Sequence, residues 1–169
     1  PPPVADALII DAVRSPRGRG ARHRGALSGV HAQELAGQTL RHLVGASGID
    51  PAEIDEVVLG CAIQREDQVY CVARQSVLAA GWPVTVPGVT LHQVCGSGLR
   101  AVEVAVNAVA AGSRDLVVAG GVEAMSRLRM FDERGGLDGQ NEKLRGRFFQ
   151  VPPGISGDLY ATLSGFGRD

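Results

Sequence analysis

Short runs of branched apolar residues alternate along this chain with longer segments of helical character, and that alternation restricts the fold more than any other feature. Residues 7–13 (ALIIDAV), 56–63 (EVVLGCAI), 87–94 (PGVTLHQV) and 115–121 (DLVVAGG) each read as a buried strand. A helix is predicted from Ser28 or Gly29 to Ala46, with Leu35, Leu40, Leu43 and Val44 near one face. A second covers residues 70–80 and stops at Gly81 and Pro83. A third covers residues 98–111, apolar nearly all round, which predicts burial on most sides. Asp50, Pro51 and Glu53 make a helix-start signal, but the strand that follows keeps that helix short. The order predicts an α/β fold with a mixed, mostly parallel sheet covered by helices on both faces. Five strands are expected, the fifth from beyond residue 169 or from the poorly patterned segment after Gly121. Residues 126–154 read as a long loop, and a further helix begins near Ile155.

Composition narrows the class. Apolar residues make up 44% and charged residues 21%, which is globular. Aromatics are only 4%, so Val, Leu, Ile and Ala must build the core, with 23 glycines allowing close backbone approach. A net charge of −1 gives no argument for nucleic acid or a membrane surface as partner. No apolar run approaches the ~20 residues that span a bilayer, and the first residues lack the apolar core of a signal peptide. Cys61, Cys71 and Cys95 include no CxxC pair, so neither zinc nor a redox couple is expected. A cytoplasmic protein in a reducing compartment, with no metal site, is the expectation. The loop bearing Arg14, Arg17, Arg19, Arg22 and Arg24 reads as solvated, because no aromatic interleaves to stack bases. His23, His31 and His42 read as solvated or helix-surface residues.

Chemistry concentrates in residues 94–101 (VCGSGLRA). Cys95 falls between a buried strand and a helix, and Gly96 and Gly98 let the chain turn sharply beside it. A thiol there meets the positive end of the helix dipole and free backbone amides, which favour the nucleophilic thiolate. Locally this pattern leaves two readings open, a nucleophile on a strand–turn–helix elbow or a small core residue. Cys61 reads as packing, and Cys71 as packing or surface.

VCGSGLRA followed by DLVVAGGVEAMS closely resembles the N-terminal domain of the thiolase family. The likeness extends to Arg14-Ser15-Pro16, to residues 55–61, to Ala73-Arg74-Gln75 and to residues 151–156. It implies a thiolase-type half, with residues 1–125 as the N-terminal α/β domain and 126–169 as the start of a loop region covering CoA. It also implies Cys95 as the catalytic nucleophile and a CoA thioester as substrate rather than a resident cofactor. The reaction implied is acyl transfer between acyl-CoA and CoA, by thiolysis or by Claisen condensation, in a homodimer or homotetramer paired near residues 87–94. Cofactor-binding residues are not identified. The family usually has Asn where this chain has His92, and residues three apart on a strand face opposite ways, so His92 is poorly placed to activate Cys95. The family's G-H-P histidine and second cysteine have no counterpart in these residues. The chain is therefore expected to be incomplete and, alone, inactive. The alternative is a non-catalytic half that serves assembly. Glu123 and Met125 read as structural residues near the active cysteine.

Overall fold

The computed structural model of the chain describes residues 6–128 and 136–168. Two compact units divide it, Pro1–Arg129 and Met130–Asp169. The first contains α1 (Ala32–Ser47), β1 (Glu56–Gly60), α2 (Val72–Ala79), β2 (Gly88–Leu91), α3 (Ser97–Ala110) and β3 (Val117–Gly121). The second contains α4 (Glu142–Arg145) and α5 (Pro153–Ser164).

The sheet among the described residues has three parallel strands in the order β2-β1-β3. Central β1 is nearly sealed, with Val57 at 0% and Val58 at 1% exposure, because it carries strands on both edges and helices on both faces. Val57 and Leu59 point into a cluster with Ala36 and Leu40 of α1 and Val72 and Val77 of α2. The alternate residues face the other way, where a Cβ on Gly60 would meet Ser97 at the start of α3. Asp55 fixes the register at the entrance to the sheet. Its Oδ2 accepts from Asp115 N–H (2.7 Å) and Leu116 N–H (3.0 Å), and the Leu116 and Asp115 amides hold its carboxyl below the ordinary range.

Several boundaries differ from the sequence reading for identifiable reasons. Helix α1 starts at Ala32, not at Ser28 or Gly29, because His31 caps it: its Nδ1 accepts from Gln33 N–H at 3.3 Å. Residues 51–53 form a single 3-10 turn, with Asp50 Oδ1 accepting from Ala52 N–H at 2.9 Å. Strand β1 ends at Gly60 rather than 63, where the chain departs into a turn at residues 66–68. Helix α3 buries only Ser97, Ala101 and Ala105, so its burial on most sides is not found. In the second unit α5 begins at Pro153, a residue suited to the first helical position. Part of the predicted 126–154 loop, residues 129–135, lies outside the described residues, and α4 interrupts the rest. No helix among the described residues is long and apolar enough to cross a membrane.

The largest correction concerns residues 7–13. They form no ladder, and Leu8, Ile9 and Ile10 are 82%, 77% and 70% exposed. A cavity of about 860 Å³ lies between this segment, the outer edge of β3, α1 and α3. The gap separates the segment from β3, and the two exchange no ladder bonds. The exposed stripe of α3, including Val102, Val106 and Val109, lines the same gap. The five-stranded expectation is met by three strands among the described residues.

A pair of substitutions separates the buried strand from the loose one. Leu59→Ala is expected to lower unfolding stability by about 2–5 kcal/mol. Ile9→Ala, on the same scale, should change it by no more than about 0.5 kcal/mol. Urea unfolding followed by circular dichroism measures both.

Candidate active site

The three strands are parallel, so the loops that leave them lie at their common carboxyl ends, the usual place for a site in an open α/β sheet. The loop after β2 carries Cys95, which is exposed. Its backbone is tightly wound. Val94 has φ 50°, a left-handed conformation that costs a β-branched residue about 1–2 kcal/mol. Gly96 N–H donates to Gln93 C=O at 3.0 Å, and Ser97 N–H donates to Val94 C=O at 3.2 Å. Ser97 Oγ donates to Val94 C=O at 2.6 Å and accepts from Gln93 N–H at 2.9 Å. Helix α3 starts at Ser97, so Cys95 stands just before its first-turn amides.

The turn rests on two glycines. A Cβ on Gly60 would lie 2.2 Å from the Ser97 carbonyl carbon and 2.5 Å from Gly98 N. One on Gly121 would lie 2.9 Å from Gly60 O and 3.6 Å from Gly98 Cα. Only glycine at position 60 allows the nucleophile turn to lie on the end of β1 without displacement.

Around this seat the loop after β3 staples its neighbours together. Glu123 Oε2 accepts from Ala62 N–H (2.8 Å) and Oε1 from Gln68 Nε2 (2.7 Å). Gln68, 0% exposed, accepts from Ala124 N–H (2.6 Å) and also donates to Ile63 C=O (2.7 Å). Ser126 Oγ donates to Arg19 C=O (2.9 Å) and accepts from Ala21 N–H (3.3 Å), anchoring the arginine-rich loop. Arg127 binds both carboxylate oxygens of Asp67 and donates to Ser28 C=O (3.0 Å). Burial alone would raise the Asp67 carboxyl, but the Arg127 hydrogen bond and the charges of His31 and Arg127 outweigh it, and the net shift is downward.

The predicted residues divide clearly. Cys95 is exposed on the loop after β2. Cys61 is buried, and desolvation, reinforced by the Glu123 charge, pushes its thiol up to about 11, so it packs, as expected. Cys71 is half-buried against β2, with its Sγ 3.2 Å from Gly88 O. His92 Nδ1 lies 3.3 Å from Cys61 O, so its ring is engaged by the β1 loop. Arg74 of the A-R-Q match donates to Val84 and Val86 carbonyls and shapes the approach to β2. Glu123 is structural, as expected, whereas Met125 is 53% exposed. His31, expected to be a solvated or helix-surface residue, is part-exposed at the head of α1. It caps α1 and also faces Asp67 at 3.5 Å. Gln68 and Asp67 had no signal in the sequence, since a Gln in a polar turn gives no sign of complete burial. Among the described residues no group of three His, Cys, Asp or Glu is placed to hold a metal.

Comparison with known proteins gives consistent results. The family model described as "Thiolase, N-terminal domain" matches residues 7–162. The chain is 47% identical over 123 residues to a beta-ketoadipyl-CoA thiolase of Pseudomonas aeruginosa, covering 72% of this chain and 30% of that protein. A steroid 3-ketoacyl-CoA thiolase of Mycobacterium tuberculosis, FadA6, is 41% identical over 125 residues, covering 74% and 30%. The crystal structure of Bacillus anthracis acetyl-CoA acetyltransferase superposes with a TM-score of 0.60 at 39% identity, covering 78% of this chain and 31% of that one. The chain thus spans under a third of the length of these relatives.

Three outcomes follow from the geometry. Iodoacetamide at neutral pH should modify Cys95 well before Cys61, as read by peptide mass spectrometry. Because the folded Cys61 pKa lies above its ordinary 9.0, its contribution to stability is intact below that pH and is lost as pH rises toward about 11. Cys61→Ala should flatten that alkaline slope. Gln68→Met, which leaves Glu123 Oε1 and the Ala124 amide without their Gln68 partners, should destabilise the fold by about 2 kcal/mol in chemical denaturation.

Proposed function

The chain belongs to the thiolase family through its N-terminal domain, and from that premise we propose that it supplies the acyl-accepting half of a CoA-thioester acyltransferase. The observation that carries the reading is the position of Cys95, exposed on a strained turn over the carboxyl ends of three parallel strands and at the head of α3. The thiolate of Cys95 attacks the thioester carbon, CoA thiolate leaves, and the acyl group is held as a cysteine thioester. Transfer to CoA, or to the carbanion of a second acyl-CoA, then frees the cysteine, which predicts ping-pong kinetics. Backbone amides beside Cys95 that are not already spent within the turn would support the oxyanion of the tetrahedral intermediate. The acyl-CoA is substrate, and the chemistry requires no resident cofactor or metal.

His92 is not assigned the base in this reading: among the described residues no hydrogen bond joins its ring to Cys95, and its Nδ1 lies against the Cys61 carbonyl. A second copy of the chain is proposed to pair along β2, an outer strand of the sheet whose Val89 is 42% exposed.

The test is intact and peptide mass spectrometry of the protein at its natural length, before and after acetyl-CoA. An acetyl group on Cys95, absent from Cys95→Ala, is the expected result. A folded protein that never acylates would instead support the non-catalytic, assembly-type reading.

A further inference from the structure

We infer that Ser97 is a positioning residue for Cys95, a role that rests on reading Cys95 as the acyl acceptor. The serine lies between the two glycines of the motif, is 4% exposed, and has no part in the acyl chemistry described above. Its hydroxyl spans Gln93 and Val94, accepting from Gln93 N–H at 2.9 Å and donating to Val94 C=O at 2.6 Å. The two bonds bracket the dihedral angles that lead through Val94, the one residue of the turn held in a left-handed conformation, with φ 50°.

Nothing about the Val94 side chain favours that conformation. It is branched at Cβ, which makes positive φ unfavourable, and at 60% exposure it gains little from burial. The conformation persists because the surrounding hydrogen bonds over-determine it. The Ser97 backbone contributes one of them, from its N–H to Val94 C=O at 3.2 Å. The Ser97 backbone is itself fixed against Gly60, so the hydroxyl is a rigid anchor rather than a mobile cap. Without the hydroxyl, Val94 is free to relax toward negative φ. That rotation swings the next residue, Cys95, away from the head of α3.

The substitution Ser97→Ala removes the clamp, and Val94→Gly removes the need for it, because glycine adopts positive φ without strain. Four proteins at natural length are compared: native, Ser97→Ala, Val94→Gly and the double variant. Acylation of Cys95 by acetyl-CoA and its alkylation by iodoacetamide are both timed, with thermal melting as a control. Ser97→Ala is expected to slow acylation by about 10–100-fold, the range for an ångström-scale misplacement of a reacting group. Its alkylation should slow as well, and the double variant should recover most of the loss in both. A merely structural serine would not be rescued at the thiol by a glycine three residues away.

A folded Ser97→Ala with native rates would overturn the proposal, as would a double variant no faster than Ser97→Ala. If Ser97→Ala does not fold, the double variant decides: folded with near-native alkylation supports the clamp, and unfolded or slow refutes it. If no variant acylates but the alkylation rates follow the predicted order, the clamp stands and the acyl-acceptor reading fails.

Discussion

The backbone of the turn that carries Cys95 lies directly on the backbone of Gly60, with no space for a Cβ between them. Much of the site depends on that contact. It sets how far α3 sits from the sheet, and Gly121 on the neighbouring strand repeats the same economy of space. Two strands that end in glycine create a shallow seat, and the helix that follows the nucleophile can then start at the sheet rather than beyond it. The strained Val94 lies in this same turn, where the Ser97 hydrogen bonds hold it.

The segment after β3 has a different task. Its motif residues make contacts with neighbouring loops. They bond sideways, Glu123 and Ala124 to the β1 loop through Gln68, Ser126 to the arginine-rich loop, and Arg127 to Asp67. The Gln68–Glu123 exchange is buried, where an unpaired amide or carboxylate is costly, so the network favours one arrangement of the loops. Cys61 illustrates the same environment from the other side. The desolvation that keeps it a neutral thiol separates a packing cysteine from the exposed Cys95 one turn of the site away in function.

The opposite side of the first unit is open. The β3 edge, α1, α3 and the N-terminal segment border a gap, and apolar side chains from each line it. This explains why α3 is apolar nearly all round yet buries only one stripe, and why a strongly strand-like segment has no ladder. In both cases the residues are composed for contacts that the described part of the chain does not supply.

By itself the sequence determined the class of fold, the order of its helices and strands, and the position of Cys95 between a strand and a helix. Those properties are local: hydrophobic period, turn residues and a thiol next to glycines can be read along the chain. Only the tertiary structure decided that residues 7–13 stand apart from β3, that His31 is a cap, and that Gln68 is fully buried. It alone showed the Ser97 hydroxyl closed on Val94. Pairing between strands and burial of a polar side chain depend on what arrives from distant positions, such as Glu123 on Gln68, and no window of neighbouring residues contains that information.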